Sequence, residues 1–260
     1  MTIKIQRSIN RIVVKLGSSQ IVDEKFKTRR DRLNSLTKQI SHLNKKGIKV
    51  VLVSSGAIAL GMGELGESKR PTDLGALQAR AAIGQAVLMR NYIESFKKVK
   101  LKCAQVLLSW DDFGKDSRTL NVRHTLEALL EKNIVPIINE NDTTSTEEIK
   151  FGDNDKLSAL VAKLLNADLL IILSDVDGLL DKNKKVINLV NDITTEIRIL
   201  AAGTSNVQVA RGGMKTKIDA VEIAKEAHIP CVIAGGNIHN VLVSTTSSTQ
   251  IGTVGTYFTV

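Results

Sequence analysis

Along this chain, short aliphatic runs alternate with longer amphipathic stretches, and each run stops in small polar residues or glycine. Ile12-Val13-Val14-Lys15-Leu16 runs into Gly17-Ser18-Ser19, and Ile48 to Val53 stops at Ser54-Ser55-Gly56-Ala57. Leu101 to Leu108 forms a third run, and Ile134, Val135, Ile137 and Ile138 end in Asn139-Glu140-Asn141-Asp142. Leu169 to Leu173 ends in Ser174-Asp175, and Pro230 to Ala234 and Thr253 to Val260 supply two later runs. Runs this apolar fit strands covered on both faces, as in a parallel sheet. Between them the spacing predicts helices. Thr28-Arg29-Arg30-Asp31 reads as a capping box for a helix ending near Lys46-Gly47, and Thr72 as the cap of a long helix reaching about Lys98. Further helices are expected over Ser117 to Lys132, after Asp155 with Leu157, Leu160, Val161, Leu164 and Leu165 on one side, and after Gly212-Gly213 with Met214, Ile218, Val221 and Ala224 inward. Asp181 to Lys185 reads as an exposed turn or hairpin. The repeated strand, polar turn and helix predict an α/β fold around a mainly parallel sheet.

Composition narrows this picture. The 260 residues suffice for one domain, with a soft boundary near Leu165 dividing an N-terminal lobe (1–165) from a C-terminal one (166–260). A hydrophobic content of 43% with 3% aromatic points to an aliphatic core. No apolar run approaches the ~20 residues that span a bilayer, and the first residues lack a signal-peptide core, so a cytoplasmic protein without a membrane partner is expected. Cys103, Cys231 and the four scattered histidines show neither disulfide nor metal-ligand spacing. The net charge of +9 raises the question of nucleic acid. Its lysines and arginines are spread over helix faces with hardly any aromatic residue among them, which argues against that partner; an anionic small substrate explains part of the excess.

Several positions carry candidate chemistry. Lys15, inside an apolar strand, must lie at an edge, snorkel, or serve an anion. Asn139 to Asp142 and Phe151-Gly152-Asp153-Asn154-Asp155 suit turns and helix caps, yet two such clusters so close together also suit a site. Gly61-Met62-Gly63-Glu64-Leu65-Gly66 matches GxGxxG, but a helix precedes it and Lys69-Arg70-Pro71 follows, so the dinucleotide fingerprint is rejected. No GxxxxGK[ST] occurs. Gly212-Gly213 at a helix start lets backbone N–H groups approach an anion, with Lys217 one turn further on; a plain glycine loop with surface lysines is the other reading. In open α/β sheets ligands bind beyond the carboxyl ends of the strands, where Lys15, Gly17, Ser54, Ser55, Asn139 to Asp142, Ser174 and Asp175 gather.

Taken together, Val13 to Ser19, Val53 to Ala59, Val135 to Asp142, Gly152 to Asp155 and Gly212 to Lys217 resemble the amino-acid kinase superfamily over nearly the whole chain and in the same order. The resemblance implies a three-layer α/β/α sandwich. It also implies ATP-dependent phosphorylation of the γ-carboxylate of L-glutamate to L-glutamyl 5-phosphate, the first step of proline biosynthesis, with Mg²⁺. Catalytic roles fall to Lys15, Lys217 and Asp155, with Asp155 holding the two lysines. Ser55, Asp142 and Asn154 would bind glutamate, the ammonium being met by Asp142 or Asp153. Lys15, Ser174, Asp175, Arg211, Gly212, Gly213, Met214, Lys215, Thr216 and Lys217 would bind ATP. A homo-oligomer (dimer or tetramer) and feedback inhibition by proline are implied as well. The chain departs from the family pattern at Ala210-Arg211, where relatives have Gly-Thr, and at Leu179-Leu180-Asp181-Lys182. It is expected to be a form without the C-terminal PUA domain of many relatives. The open alternatives are a relative acting on aspartate, acetylglutamate, carbamate or UMP, and a binding regulator without turnover.

Overall fold

The computed structural model describes residues 8–114, 116–144, 154–203, 213–247 and 253–260. Its sheet is assembled around β1 (Arg11–Leu16), which pairs in parallel with β2 (Lys49–Ser54) on one side and β5 (Leu169–Ser174) on the other. Beyond β2 lie β4 (Ile134–Glu140) and then β3 (Lys102–Leu108); beyond β5 lie β7 (Cys231–Gly235), β8 (Thr256–Phe258) and β6 (Leu189–Val190). Among the described strands only β8 against β7 is antiparallel. The carboxyl ends of β1, β2, β4, β5 and β7 therefore share one edge, as parallel pairing demands.

The helices in chain order are α1 (Ser18–Ile21), α2 (Arg30–Lys45), α3 (Ala57–Glu64), α4 (Leu74–Lys98), α5 (Asp116–Glu131), α6 (Asn154–Leu164), α7 (Thr195–Gly203), α8 (Met214–Glu226) and α9 (Val241–Thr246). They cover both faces of the sheet. Ile12, Val14 and Leu16 of β1 pack with Leu36 and Ile40 of α2, Leu88 and Tyr92 of α4, and Leu242 of α9. Val13 belongs to the opposite core, with Leu126 of α5, Leu157 and Val161 of α6, and Ile218 and Val221 of α8. Each fully buried Leu, Ile or Val contributes about 1.5–3 kcal/mol. The mainly parallel sheet expected from the strand pattern and the three-layer α/β/α sandwich implied by the resemblance are both observed.

Period-two alternation has one direct consequence. It puts Lys15 on the face of Val13, under α6 and α8, at a register position between Val53 and Ile172 in the middle of the sheet. An edge position for this lysine is thereby ruled out.

Local details correct some expectations. α2 starts after Arg29 with no side-chain cap, so the capping box at Thr28 does not form. α4 is capped by Asp73, whose carboxylate accepts from Ala76 N–H at 2.8 Å, and not by Thr72. The short elements α1, α7, α9 and β6 were not anticipated. The rejected GxGxxG has a packing role: a Cβ at Gly61 would stand 1.9 Å from the Arg80 carbonyl oxygen, and one at Gly84 would stand 1.8 Å from that of Ala57. Glycine at both positions lets α3 and α4 touch backbone to backbone. This holds the turn at Ser54-Ser55-Gly56 close to the middle of α4.

Candidate active site

Lys15 brings an ammonium to the carboxyl end of the central strand, where only 6% of the residue is exposed. A buried lone ammonium is too costly to persist, so a partner is required. Asp155 supplies it from the first turn of α6: its Oδ1 lies 2.6 Å from Lys15 Nζ, and its Oδ2 lies 3.3 Å from Lys217 Nζ. Thr216 Oγ1 donates to the same Oδ2 at 2.9 Å. Asp155 is 1% exposed and Lys217 4%, so this is a buried array with one net positive charge.

Burial alone would push the Asp155 carboxyl up, but Lys15, Lys217 and Thr216 hold it below the ordinary carboxylate range. Lys217 is shifted down, first by burial and further by Lys15, against the pull of Asp155 and Asp175. Lys217 reaches this position because Gly213 is the N-cap of α8 and the side chain lies one turn into the helix. Met214 packs into the core, and Lys215 faces solvent. Asp153, Arg211 and Gly212 lie outside the described residues. Ser174 ends β5, and its hydroxyl donates to Asp175 Oδ1 at 2.9 Å. Gln20 of α1 donates from Nε2 to the Ser174 carbonyl, tying α1 to the end of β5.

A second group of side chains begins next to the charged array. Asn154 Nδ2 lies 2.8 Å from Ser55 Oγ, 2.9 Å from Asn139 Oδ1 and 3.2 Å from the Ser54 carbonyl oxygen. Asn139 Nδ2 in turn donates to Gln85 Oε1 of α4 at 2.9 Å. Gln85 lines a cavity of about 270 Å³ together with Ala82, Gln105, Glu140, Asp142 and Thr143. Within it Asp142 is pushed up to about 7, chiefly by burial, with Glu140 adding and Arg70 opposing.

The residues singled out in the sequence thus fall into two linked groups. Lys15, Asp155, Thr216 and Lys217 form one, while Ser55 and Asn154 join a chain of amides leading to the cavity of Asp142. Gln85 was missed. The available signal was a polar residue in the buried stripe Ala81, Leu88, Tyr92 of α4, at helical spacing. The described residues hold no group of three or more His, Cys, Asp or Glu able to cage a metal, and none of their helices is long and apolar enough to cross a membrane.

A parallel sheet between helix layers, with two buried lysines bridged by one carboxylate at its carboxyl edge, is the setting in which a family comparison is informative. Residues 10–235 match the model of the amino acid kinase family, and the chain belongs to that family. It is 44% identical over 249 residues to the glutamate 5-kinase of Clostridium acetobutylicum, covering 92% of this chain and 93% of that protein. With the glutamate 5-kinase of Nitrosomonas eutropha the identity is 46% over 259 residues, covering 97% of this chain and 69% of that one. Among solved structures, the carbamate kinase of Giardia lamblia bound to AMP-PNP superposes with a TM-score of 0.64 at 19% identity, over 96% of this chain and 98% of the other. That likeness concerns the fold.

Proposed function

We propose that the protein transfers the γ-phosphoryl group of ATP to the γ-carboxylate of L-glutamate, giving L-glutamyl 5-phosphate for proline biosynthesis. The buried Lys15–Asp155–Lys217 bridge is the observation that carries this reading. A γ-carboxylate with a pKa of about 4.3 is already ionised at neutral pH, so no general base is needed. The obstacle is the approach of one anion to another. Phosphoryl transfer is catalysed mainly by positioning and by charge stabilisation. Two ammonium groups held by one buried carboxylate stay fixed while phosphate charge shifts between donor and acceptor. The N–H groups at the start of α8 point the positive end of its dipole the same way.

In this reading the acceptor lies on the side of β2 and β4, its ammonium against Asp142 and its chain beside Ser55 and Asn154. The nucleotide lies toward β5 and α8, at Ser174, Asp175 and the segment from Arg211 to Lys217. The N-terminal lobe (1–165) would thus supply the acceptor site and the C-terminal lobe (166–260) the nucleotide site. Mg²⁺ fits as a companion of the nucleotide, because it ordinarily keeps phosphate and water ligands beside one or two carboxylates, and Asp175 is exposed at the end of β5. When bound, the ion neutralises phosphate charge. Arg211 would add a cation on the nucleotide side by its place in the Arg211 to Lys217 segment, and Arg211→Gly is expected to raise the KM for ATP. Inhibition by proline, a homo-oligomer and a cytoplasmic location belong to the same proposal by family membership; proline that left the KM for glutamate untouched would count against the first.

Trapping the acyl phosphate with hydroxylamine while following ADP release tests the reaction. Glutamate-dependent hydroxamate is expected, with aspartate, acetylglutamate, carbamate and UMP weaker by far; turnover with one of these in place of glutamate would overturn the acceptor. One methylene separates glutamate from aspartate, worth about 1–3 kcal/mol in an apolar pocket, so a ratio of roughly 10–200 is expected between them.

A further inference from the structure

The chain of amides behind Asp142 has a direction that can be read from a backbone group. Asn139 Oδ1 accepts the N–H of Glu140 at 2.9 Å, and a backbone N–H can only donate. The Asn139 side chain is therefore fixed with its Nδ2 toward Gln85, so Gln85 presents Oε1 to Asn139 at 2.9 Å. The Gln85 Nε2 group is left facing away from this bond. It is buried and has no partner among the described residues, in a side chain that is nine-tenths buried and lines the Asp142 cavity. At the other end Asn154 donates from Nδ2, which leaves its Oδ1 buried without a partner as well. One orphaned donor and one orphaned acceptor thus terminate a three-residue relay. A buried donor left without a partner is destabilising, and a ligand acceptor relieves that cost.

We infer that Gln85 is a specificity residue that donates from Nε2 to the α-carboxylate of the amino-acid acceptor, while Asp142, on the same cavity wall, receives its ammonium. The assignment rests on the amino-acid kinase reading above and adds a substrate contact from α4. An α-amino acid carries an acceptor group and a donor group on one carbon, and the cavity wall holds the Gln85 amide and the Asp142 carboxylate. Asn139 acts through the other two amides and is a positioning residue.

Gln85→Glu is the informative change, because a carboxylate oxygen still accepts from Asn139 while the donor becomes a second acceptor. Gln85→Met, which removes both functions at similar size, is the companion variant, and each is checked by its melting temperature. Binding of glutamate and of isoglutamine, its α-carboxamide, is measured by calorimetry on the full chain, and hydroxamate formation is followed in parallel. Wild type is expected to prefer glutamate. Gln85→Glu should weaken glutamate by about 10- to 100-fold and isoglutamine far less, since the amide can donate to the new carboxylate; Gln85→Met should weaken glutamate with the KM for ATP unchanged. An unchanged glutamate-to-isoglutamine ratio in a folded Gln85→Glu protein overturns the assignment of Gln85 and leaves the reaction untouched. Wild-type binding without turnover overturns the reaction and leaves Gln85 standing. Failure of wild type to bind either compound overturns both.

Discussion

Replacing Asp155 by Asn removes one charge and nothing of the shape, so its consequences are those of the charge. The carboxylate is 1% exposed and holds Lys15 at 2.6 Å and Lys217 at 3.3 Å. Without it two buried ammonium groups face each other across a neutral amide. Removing one partner of a buried pair typically costs about 3–5 kcal/mol. In a chain of this size each kcal/mol moves the midpoint by about 2–4 °C, so the ligand-free variant should melt roughly 6–20 °C below wild type. The pH sign agrees. A carboxyl whose folded pKa is depressed contributes stability above its unfolded value and loses it as pH falls through the folded one, so the deficit should be full at neutral pH and shrink in acid. A polyanion should do the opposite of what it does to most damaged sites. With the local charge raised, ATP is expected to bind at least about tenfold more tightly, adding about 1.4 kcal/mol of stabilisation, while turnover falls because the lysines are no longer held. Denaturant melts with and without ATP, beside steady-state turnover, measure all three. A variant that melts within about 2 °C of wild type and binds ATP no tighter would refute the electrostatic account of the site.

Three further changes probe other parts of the structure. Lys217→Ala should lower turnover by about 10²–10³ with the fold retained, as loss of one preorganised donor does; near-normal turnover removes Lys217 from the reaction. Asp142, pushed up to about 7, is protonated below that pH and then cannot pair with an ammonium, so kcat/KM for the amino acid should fall about tenfold per unit below roughly pH 7. Asp142→Asn should flatten that limb, and a limb that survives in the variant assigns it elsewhere. Gly84→Ala forces a methyl against the Ala57 carbonyl oxygen, so a loss of about 1–3 kcal/mol is expected in denaturant melts; an unchanged midpoint would mean that α3 and α4 separate freely.

Much of the sheet could be read from the chain because most of its strands are largely aliphatic runs, and such runs have few alternatives in a protein of this length. At the weak end of the sheet β8 was expected within Thr253 to Val260, whereas β6 escaped notice because two residues are too short for any period to register. Helix starts were misplaced where a side-chain signal competed with its neighbour, as at Thr72 and Asp73, where only the observed Asp73 bond decides. Lys15 stood out because it interrupts an apolar strand. The meeting of Lys15, Asp155 and Lys217 follows from alternation plus the helix layer over that face, which no local pattern contains; their proposed roles came from resemblance. Gln85 was illegible, because one amide in a helical stripe of small and aliphatic residues looks like any tolerated polar group until its bonds are traced.

The strand at the heart of the sheet is also, among the described strands, the first to be synthesised. β1 has its first neighbour within about forty residues, but its second, β5, is made some hundred and fifty residues later. Throughout that interval the growing polypeptide carries an oily ribbon with one flank open, and the ammonium of Lys15 waits for a counter-charge not yet synthesised. Truncated products ending before Leu169 should therefore be sticky and dependent on chaperones, and synthesis of the segment carrying β5 should be the step that makes the molecule safe from aggregation.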